Sequence, residues 1–146
     1  HAYLRGHYDH PGSATPYSAP GPWGSHHINR EVSGVTAACS GMRREDFFDV
    51  GGFAEVFPAN FNDVDLCYKV RTTGLRIVTL AVVELFHFET MTRPKAVKKW
   101  ESEEIQRRWG YPTRDPYTPV FPRMRPTRDE VLAEKAKERR RNLGLT

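Results

Sequence analysis

The sequence predicts an α/β chain, and three observations carry that expectation. A run of small and apolar residues, Val35-Thr36-Ala37-Ala38-Cys39-Ser40-Gly41-Met42, fits a short buried strand. A helical stretch follows, opening near Asn60 or Asn62, both good N-caps, and closing at Gly74, which suits the left-handed position after a helix. Residues 76–80 and 82–88 are then β-branched and apolar, and read as strands. With 146 residues, 38% hydrophobic and 12% aromatic, the chain has one domain's worth of material and a globular rather than disordered composition.

The remaining elements are placed by their breakers and periodicity. Residues 1–32 form a loop rich in Gly, Pro, Ser and His, with GHYDHPGS and SAPGPWGSHH as its densest stretches. Loops this long without periodicity are usually either disordered or functional. Residues 43–50 read as a short helix stopped by Gly51-Gly52, with Phe47, Phe48 and Val50 turned into the core. Pro94 suits the first turn of another helix, which reaches about Trp109 and shows Val97, Trp100, Ile105 and Trp109 on its apolar side. A proline-rich extended piece over 111–126 leads to a last helix over 128–142, charged nearly all round and anchored by Val131 and Leu132. There is no internal repeat. The domain organisation is therefore a loop (1–32), a body (33–121) and a charged helical tail (122–146).

Charge is distributed unevenly. Residues 1–92 hold 7 Lys/Arg against 10 Asp/Glu, whereas residues 93–146 hold 15 against 8. Such a basic tail could touch nucleic acid, anionic lipid or a phosphorylated substrate, but its interspersed acids favour a plain solvated surface. Three successive arginines, Arg139-Arg140-Arg141, match no nucleic-acid motif, and no nucleic-acid partner is expected. Cys39 and Cys67 stand apart in apolar segments, so neither a disulfide framework nor a CxxC metal site is supported and a reducing cytoplasm is the default. No apolar run approaches the roughly 20 residues of a spanning helix. Membrane association is expected only as peripheral contact through the basic tail, at the inner face. The sequence opens on His1 without an initiator Met, which points to a fragment.

Two carboxylates stand at the start of the central helix, in Asn62-Asp63-Val64-Asp65. Counting from Asp63, Leu66, Cys67 and Val70 fall at i+3, i+4 and i+7, so Asp63 tops the apolar stripe and should face the core or a cleft beside it. Asp65 shares the other face with Tyr68, Lys69 and Thr72, should point outward or sideways and can pair with Lys69 at i+4. Replacing Asp65 should then do less harm than replacing Asp63. Two readings of Asp63 stay open. It is either a first-turn acid complementing the helix dipole, as a capping-box partner of Asn60, or a cleft-edge base able to take a proton from an attacking hydroxyl. An EF-hand reading of NDVD fails, since no glycine or terminal glutamate follows at loop spacing.

His87 ends an apolar strand in Leu85-Phe86-His87-Phe88-Glu89-Thr90-Met91-Thr92-Arg93. A histidine there is either packed in the core or a ligand. The ligand reading draws on the strand-end position, the hydroxyls of Thr90 and Thr92, and Arg93, a natural phosphate partner. His7-x-x-His10 could bind a metal, but no cysteine or carboxylate partner stands at ligand spacing, so the signal is weak.

Together, VTAACSGMRREDFFDVGGF (35–53), FNDVDLCYKVRTTGLRIV (61–78) and ELFHFETMTR (84–93), with a weaker echo in RDPYTPVF (114–121), resemble family 2 glycosyltransferases, particularly their rhamnosyltransferase-like bacterial branch. The resemblance covers roughly residues 33–121. It implies the C-terminal portion of a GT-A fold, an incomplete mixed sheet with flanking helices. It also implies a nucleotide-diphosphate sugar donor, a saccharide or lipid-linked saccharide acceptor, and transfer with inversion, in cell-surface polysaccharide synthesis. On this pattern Asp63 is the catalytic base and His87 ligates a divalent metal, Mg or Mn. Thr90, Thr92 and Arg93 lie near the donor diphosphate, while Gly52, Phe53 and Asp65 belong to the acceptor site. The family's nucleotide-binding strands and DxD motif are absent from the sequence, and Thr90 and Thr92 stand where serines are usual. A fragment without transferase activity of its own is expected. The rival from another class is a non-catalytic module that binds glycan or an anionic surface.

Overall fold

The computed structural model describes residues 2–4, 7–9, 16, 18–85 and 96–118. In chain order the elements are β1 (Ala2–Leu4), β2 (His7–Asp9), β3 (Arg30–Glu31), α1 (Arg44–Asp49), α2 (Asn62–Thr72), β4 (Val78–Thr79) and α3 (Lys99–Trp109). Single 3-10 turns form at Pro22–Gly24 and Ala37–Cys39. Strands and helices are thus mixed, compatible with an α/β chain. Among the described residues the strands make two antiparallel ribbons, β1 with β2 and β3 with β4.

The helices close where the sequence puts their breakers. After α2, Gly74 adopts φ +82° and its N–H donates to the Arg71 carbonyl at 3.0 Å, satisfying one of the carbonyls a helix end leaves open. Asp63 and Asp65 in the first turn and Lys69 and Arg71 in the last complement the dipole. α1 ends at Gly51 and Gly52, both at positive φ, with the Gly52 N–H bonded to the Phe47 carbonyl at 2.8 Å. Phe48, expected in the core, is exposed, because only Phe47 on this short helix turns back toward Phe53, their rings 5.5 Å apart.

Three expectations are corrected. The run 35–42 is not a strand. Thr36 Oγ1 accepts from the Ala38 N–H at 3.3 Å and winds the segment into the 3-10 turn, a local bond that competes with extended structure. The segment 76–85 is strand only at Val78–Thr79, where Arg30↔Thr79 and Glu31↔Val78 pair. A strand needs a neighbour of its own length, and β3 supplies two residues. Beyond it the chain turns, with the Val83 N–H on the Leu80 carbonyl, and leaves Val82 85% and Leu85 70% exposed. The loop 1–32 contains a hairpin, in register Ala2↔Asp9, Tyr3↔Tyr8 and Leu4↔His7, too short to show as periodicity. Residues 86–95, the expected first turn at Pro94, and the tail helix lie outside the described residues.

The core sits between α2 and α3. Phe57, Val64, Cys67 and Ile105 are buried together, and Tyr8, Val35, Ala54, Phe61, Tyr68, Ile77 and Trp109 pack against them. On α3 the expected apolar side is narrower than predicted, since Val97 and Trp100 are exposed and Ile105 is the fully buried aliphatic. Cys67 ties the 32–35 segment to α2: its Sγ accepts from the Val35 N–H at 3.4 Å and lies 3.6 Å from the Val35 carbonyl. Ile105→Ala is expected to lower unfolding free energy by about 2–5 kcal/mol. Urea titration checks this, and a loss below about 1 kcal/mol would place the principal core elsewhere.

Candidate functional site

The entry to α2 is set by Phe61, which stands at the N-cap in the left-handed region, φ 63° and ψ 2°. A bulky residue pays about 1–3 kcal/mol for that conformation. Aromatic packing offsets it: the Phe61 ring meets Tyr8 edge-on at 5.6 Å and Phe57 at 6.4 Å. The side chain of an N-cap residue is therefore not available to the first helical N–H groups. Instead Asn62 Oδ1 accepts from the Asp63 N–H and Asp63 Oδ1 from the Val64 N–H, each at 2.8 Å. Asn60, expected as a cap, is used elsewhere. Its backbone N–H and Nδ2 donate to Glu101 at 3.2 and 2.9 Å.

Asp63 is half-buried, at the rim rather than in the core. Its second oxygen, Oδ2, accepts from the Ala37 N–H at 3.1 Å, so the carboxylate bridges the helix N-terminus and the small-residue turn Ala37–Cys39. Ala37, Ala38, Cys39 and Ser40 are all exposed beside it.

Asp65 departs from expectation. It is 0% exposed, although helical spacing placed it outward or sideways. The reason is tertiary: α3 covers this second face of α2. Asp65 Oδ1 accepts from Arg108 Nε and from Trp109 Nε1, both at 2.8 Å. The expected Lys69 partner is present, its Nζ 3.0 Å from Oδ2 as an ion-pair contact rather than a directed hydrogen bond. Burial pushes the Asp65 carboxyl upward, but the hydrogen bonds from Trp109 and Arg108 and the charge of Lys69 outweigh it and hold it below the usual carboxylate range. The Asp65 carboxylate therefore presents no open surface.

Lys69 extends this network to the glycine turn, donating to the Gly52 carbonyl at 2.9 Å. Gly52 is buried at φ +58°, and a Cβ there would stand 3.0 Å from the Phe47 ring. Phe53, next in chain, is exposed. The structure thus links Gly52 and Asp65 through Lys69, and places Asp63 at the top of the same helix. His87, Thr90, Thr92 and Arg93 lie outside the described residues. Among the described residues no three His, Cys, Asp or Glu side chains converge as a metal set.

Spacing along one helix missed Arg108, Trp109 and Glu101, since their roles arise from a second helix. The available signal was Lys69 at i+4 from Asp65. Glu101, buried, receives Asn60 and the Lys98 N–H at 2.9 Å. Burial pushes its carboxyl up, and these backbone and side-chain donors outweigh it, leaving it below its ordinary value.

No family model matches the chain, and no solved structure matches it significantly. It is 38% identical over 101 residues to the O-antigen biosynthesis protein RfbC of Myxococcus xanthus, a match covering 66% of this chain and 8% of that protein. It is also 37% identical over 90 residues to the uncharacterized protein y4gI of Sinorhizobium fredii, covering 56% of this chain and 10% of that protein. The matched stretch is thus a tenth or less of these curated relatives.

The signs of the carboxyl shifts give a stability prediction. Groups depressed on folding, as Asp65 and Glu101 are, stabilise above their unfolded value of about 4 and lose that contribution as pH falls toward the folded one. The melting temperature should therefore drop as pH falls below about 4. Asp65→Asn should cost about 1–3 kcal/mol at neutral pH, by stranding Arg108 and Lys69, and should flatten that acid decline. An acid decline equally steep in the variant would show that Asp65 is not its source.

Proposed function

We propose that this chain is the acceptor-side part of a family 2 glycosyltransferase of GT-A type, acting in polysaccharide synthesis. The observation that carries the reading is the contrast between the two acids of one helix turn. Asp65 is buried, with two N–H donors on one oxygen and the Lys69 cation at the other, whereas Asp63 sits at the rim beside a turn of small exposed residues. That division leaves one carboxylate for structure and one for chemistry. The name of the Myxococcus relative supports the polysaccharide setting. The exposed apolar residues Val78, Leu80, Val82, Val83 and Leu85 fit a sheet completed by further strands of a longer protein.

In this reading Asp63 takes the proton from an acceptor saccharide hydroxyl as that oxygen attacks the anomeric carbon of a nucleotide-diphosphate sugar. The new glycosidic C–O bond forms on the face opposite the leaving group, the bond to the diphosphate breaks, and the nucleoside diphosphate departs with the electron pair. Inversion follows from that single displacement. The Ala37 N–H on Oδ2 orients the carboxylate. Gly52 and Phe53 border the acceptor, and Asp65 serves that site by position rather than by contact. Thr90, Thr92 and Arg93 are proposed beside the donor diphosphate. A divalent metal, Mg or Mn, is proposed only through His87, where it would supply charge neutralisation for the leaving diphosphate. No described helix is long and apolar enough to cross a membrane. The cytoplasmic placement and peripheral contact of the basic tail with the membrane's inner face belong to the same proposal, which includes no nucleic-acid partner.

The test is steady-state transfer by the full-length protein with a panel of nucleotide sugars. Asp63→Asn should reduce transfer by roughly two to four orders of magnitude with donor affinity nearly unchanged. Near-normal turnover would remove Asp63 from the mechanism. Separately, His87→Ala should raise the metal concentration needed for activity. An unchanged metal dependence would take His87 out of the metal site.

A further inference from the structure

We infer that Trp109 and Arg108 are positioning residues for Asp63, acting through the buried Asp65 to fix the rotation of α2 about its own axis. The inference rests on the proposed role of Asp63 and deepens it.

The grip on α2 is made at three points. Trp109 Nε1 and Arg108 Nε both donate to one oxygen of Asp65, at 2.8 Å each. The Trp109 ring stacks on Tyr68, one turn along α2, with centroids 5.0 Å apart and planes 8° from parallel. Lys69, next in sequence, spans from Asp65 to the Gly52 carbonyl. Arg108 is itself backed by the Phe57 ring, 6.0 Å from its guanidinium carbon. Asp63 lies two residues before Asp65, about 200° around the helix. It is held on its own side by the Ala37 N–H. α2 is thus fixed from two sides, and a turn about its axis moves both carboxylates together.

The lever arm makes this matter for chemistry. A side chain reaches about 5–6 Å from the helix axis, so a rotation of about 10° displaces a carboxylate by about 1 Å. Misplacement on that scale is enough to cost about 100-fold in rate. Ring packing alone does not set the angle so tightly, because an aromatic ring slides on its neighbour at little cost. Two N–H donors converging on one buried oxygen do, because a bent or stretched bond leaves a buried charge undersatisfied.

Trp109→Phe isolates the device, keeping the ring on Tyr68 and removing the donor. In the full-length protein kcat should fall about 10- to 100-fold. Donor and acceptor KM should stay within about twofold. In the 146-residue chain the Ala37 amide should exchange with solvent about tenfold faster, since Asp63 Oδ2 no longer holds it in place. Ile105→Val, one helical turn before the donor pair and without a bond to Asp65, is the control for lost stability: it should leave kcat and Ala37 exchange unchanged. Arg108→Lys carries the same expectations as Trp109→Phe and replaces it if that variant does not fold. A donor-side variant indistinguishable from Ile105→Val in both readouts overturns the inference. If the full-length protein transfers no sugar, the glycosyltransferase reading falls separately, and Ala37 exchange alone decides the clamp.

Discussion

A carboxylate with no exposure, held between two helices, organises the described part of this protein. Taking Asp65 out of water costs several kcal/mol, and that cost is recovered only if its oxygens meet well-placed donors. The donors come from α3 (Arg108 and Trp109) and from one turn further along α2 (Lys69). Packing α3 against α2 in any other register would strand the charge. The same contact that satisfies Asp65 therefore selects one helix pairing, brings Ile105 against Val64 and Cys67, and sends Lys69 to the Gly52 turn.

A second buried acid completes the pairing. Glu101, at the opposite end of α3, receives the backbone and side chain of Asn60 just before α2 begins. Each helix thus contributes one acid and receives from the other element's donors, so α3 is pinned near both ends. Between these pins the apolar residues fill the gap, which is why a small core with few large aliphatics still fixes a register. Cys67 adds the third connection, to the backbone of Val35, and so brings the Ala37–Cys39 turn over the start of α2.

What this leaves at the rim is one carboxylate with a different environment. Asp63 is oriented by backbone N–H groups from two segments and is half-buried at the rim rather than enclosed between helices. A base needs both properties: a fixed direction and a face through which a proton can arrive. On the inferred clamp, bracing the far side of the same helix supplies the direction. On the proposed function, the structural acid and the reactive acid are coupled parts of one helix turn.

Much of this was legible in the residues. Gly51-Gly52 and Gly74 ended their helices because only glycine takes the left-handed backbone cheaply, a local property that needs no partner. Helical spacing likewise placed Leu66, Cys67 and Val70 on a buried face, and Lys69 within reach of Asp65. Partnership was not legible. The run 35–42 has strand-like composition but no strand partner among the described residues, and Asp63 and Thr36 took the N–H groups of Ala37 and Ala38 instead. Asp65 looked solvent-facing because periodicity along one helix reports a single apolar stripe, whereas α2 is covered on two sides. Which side a second helix covers depends on where α3 arrives from more than 40 positions away. The sequence by itself determined where the chain bends and which faces are apolar; the meeting of α2 and α3 decided which acid is buried and which is left at the rim.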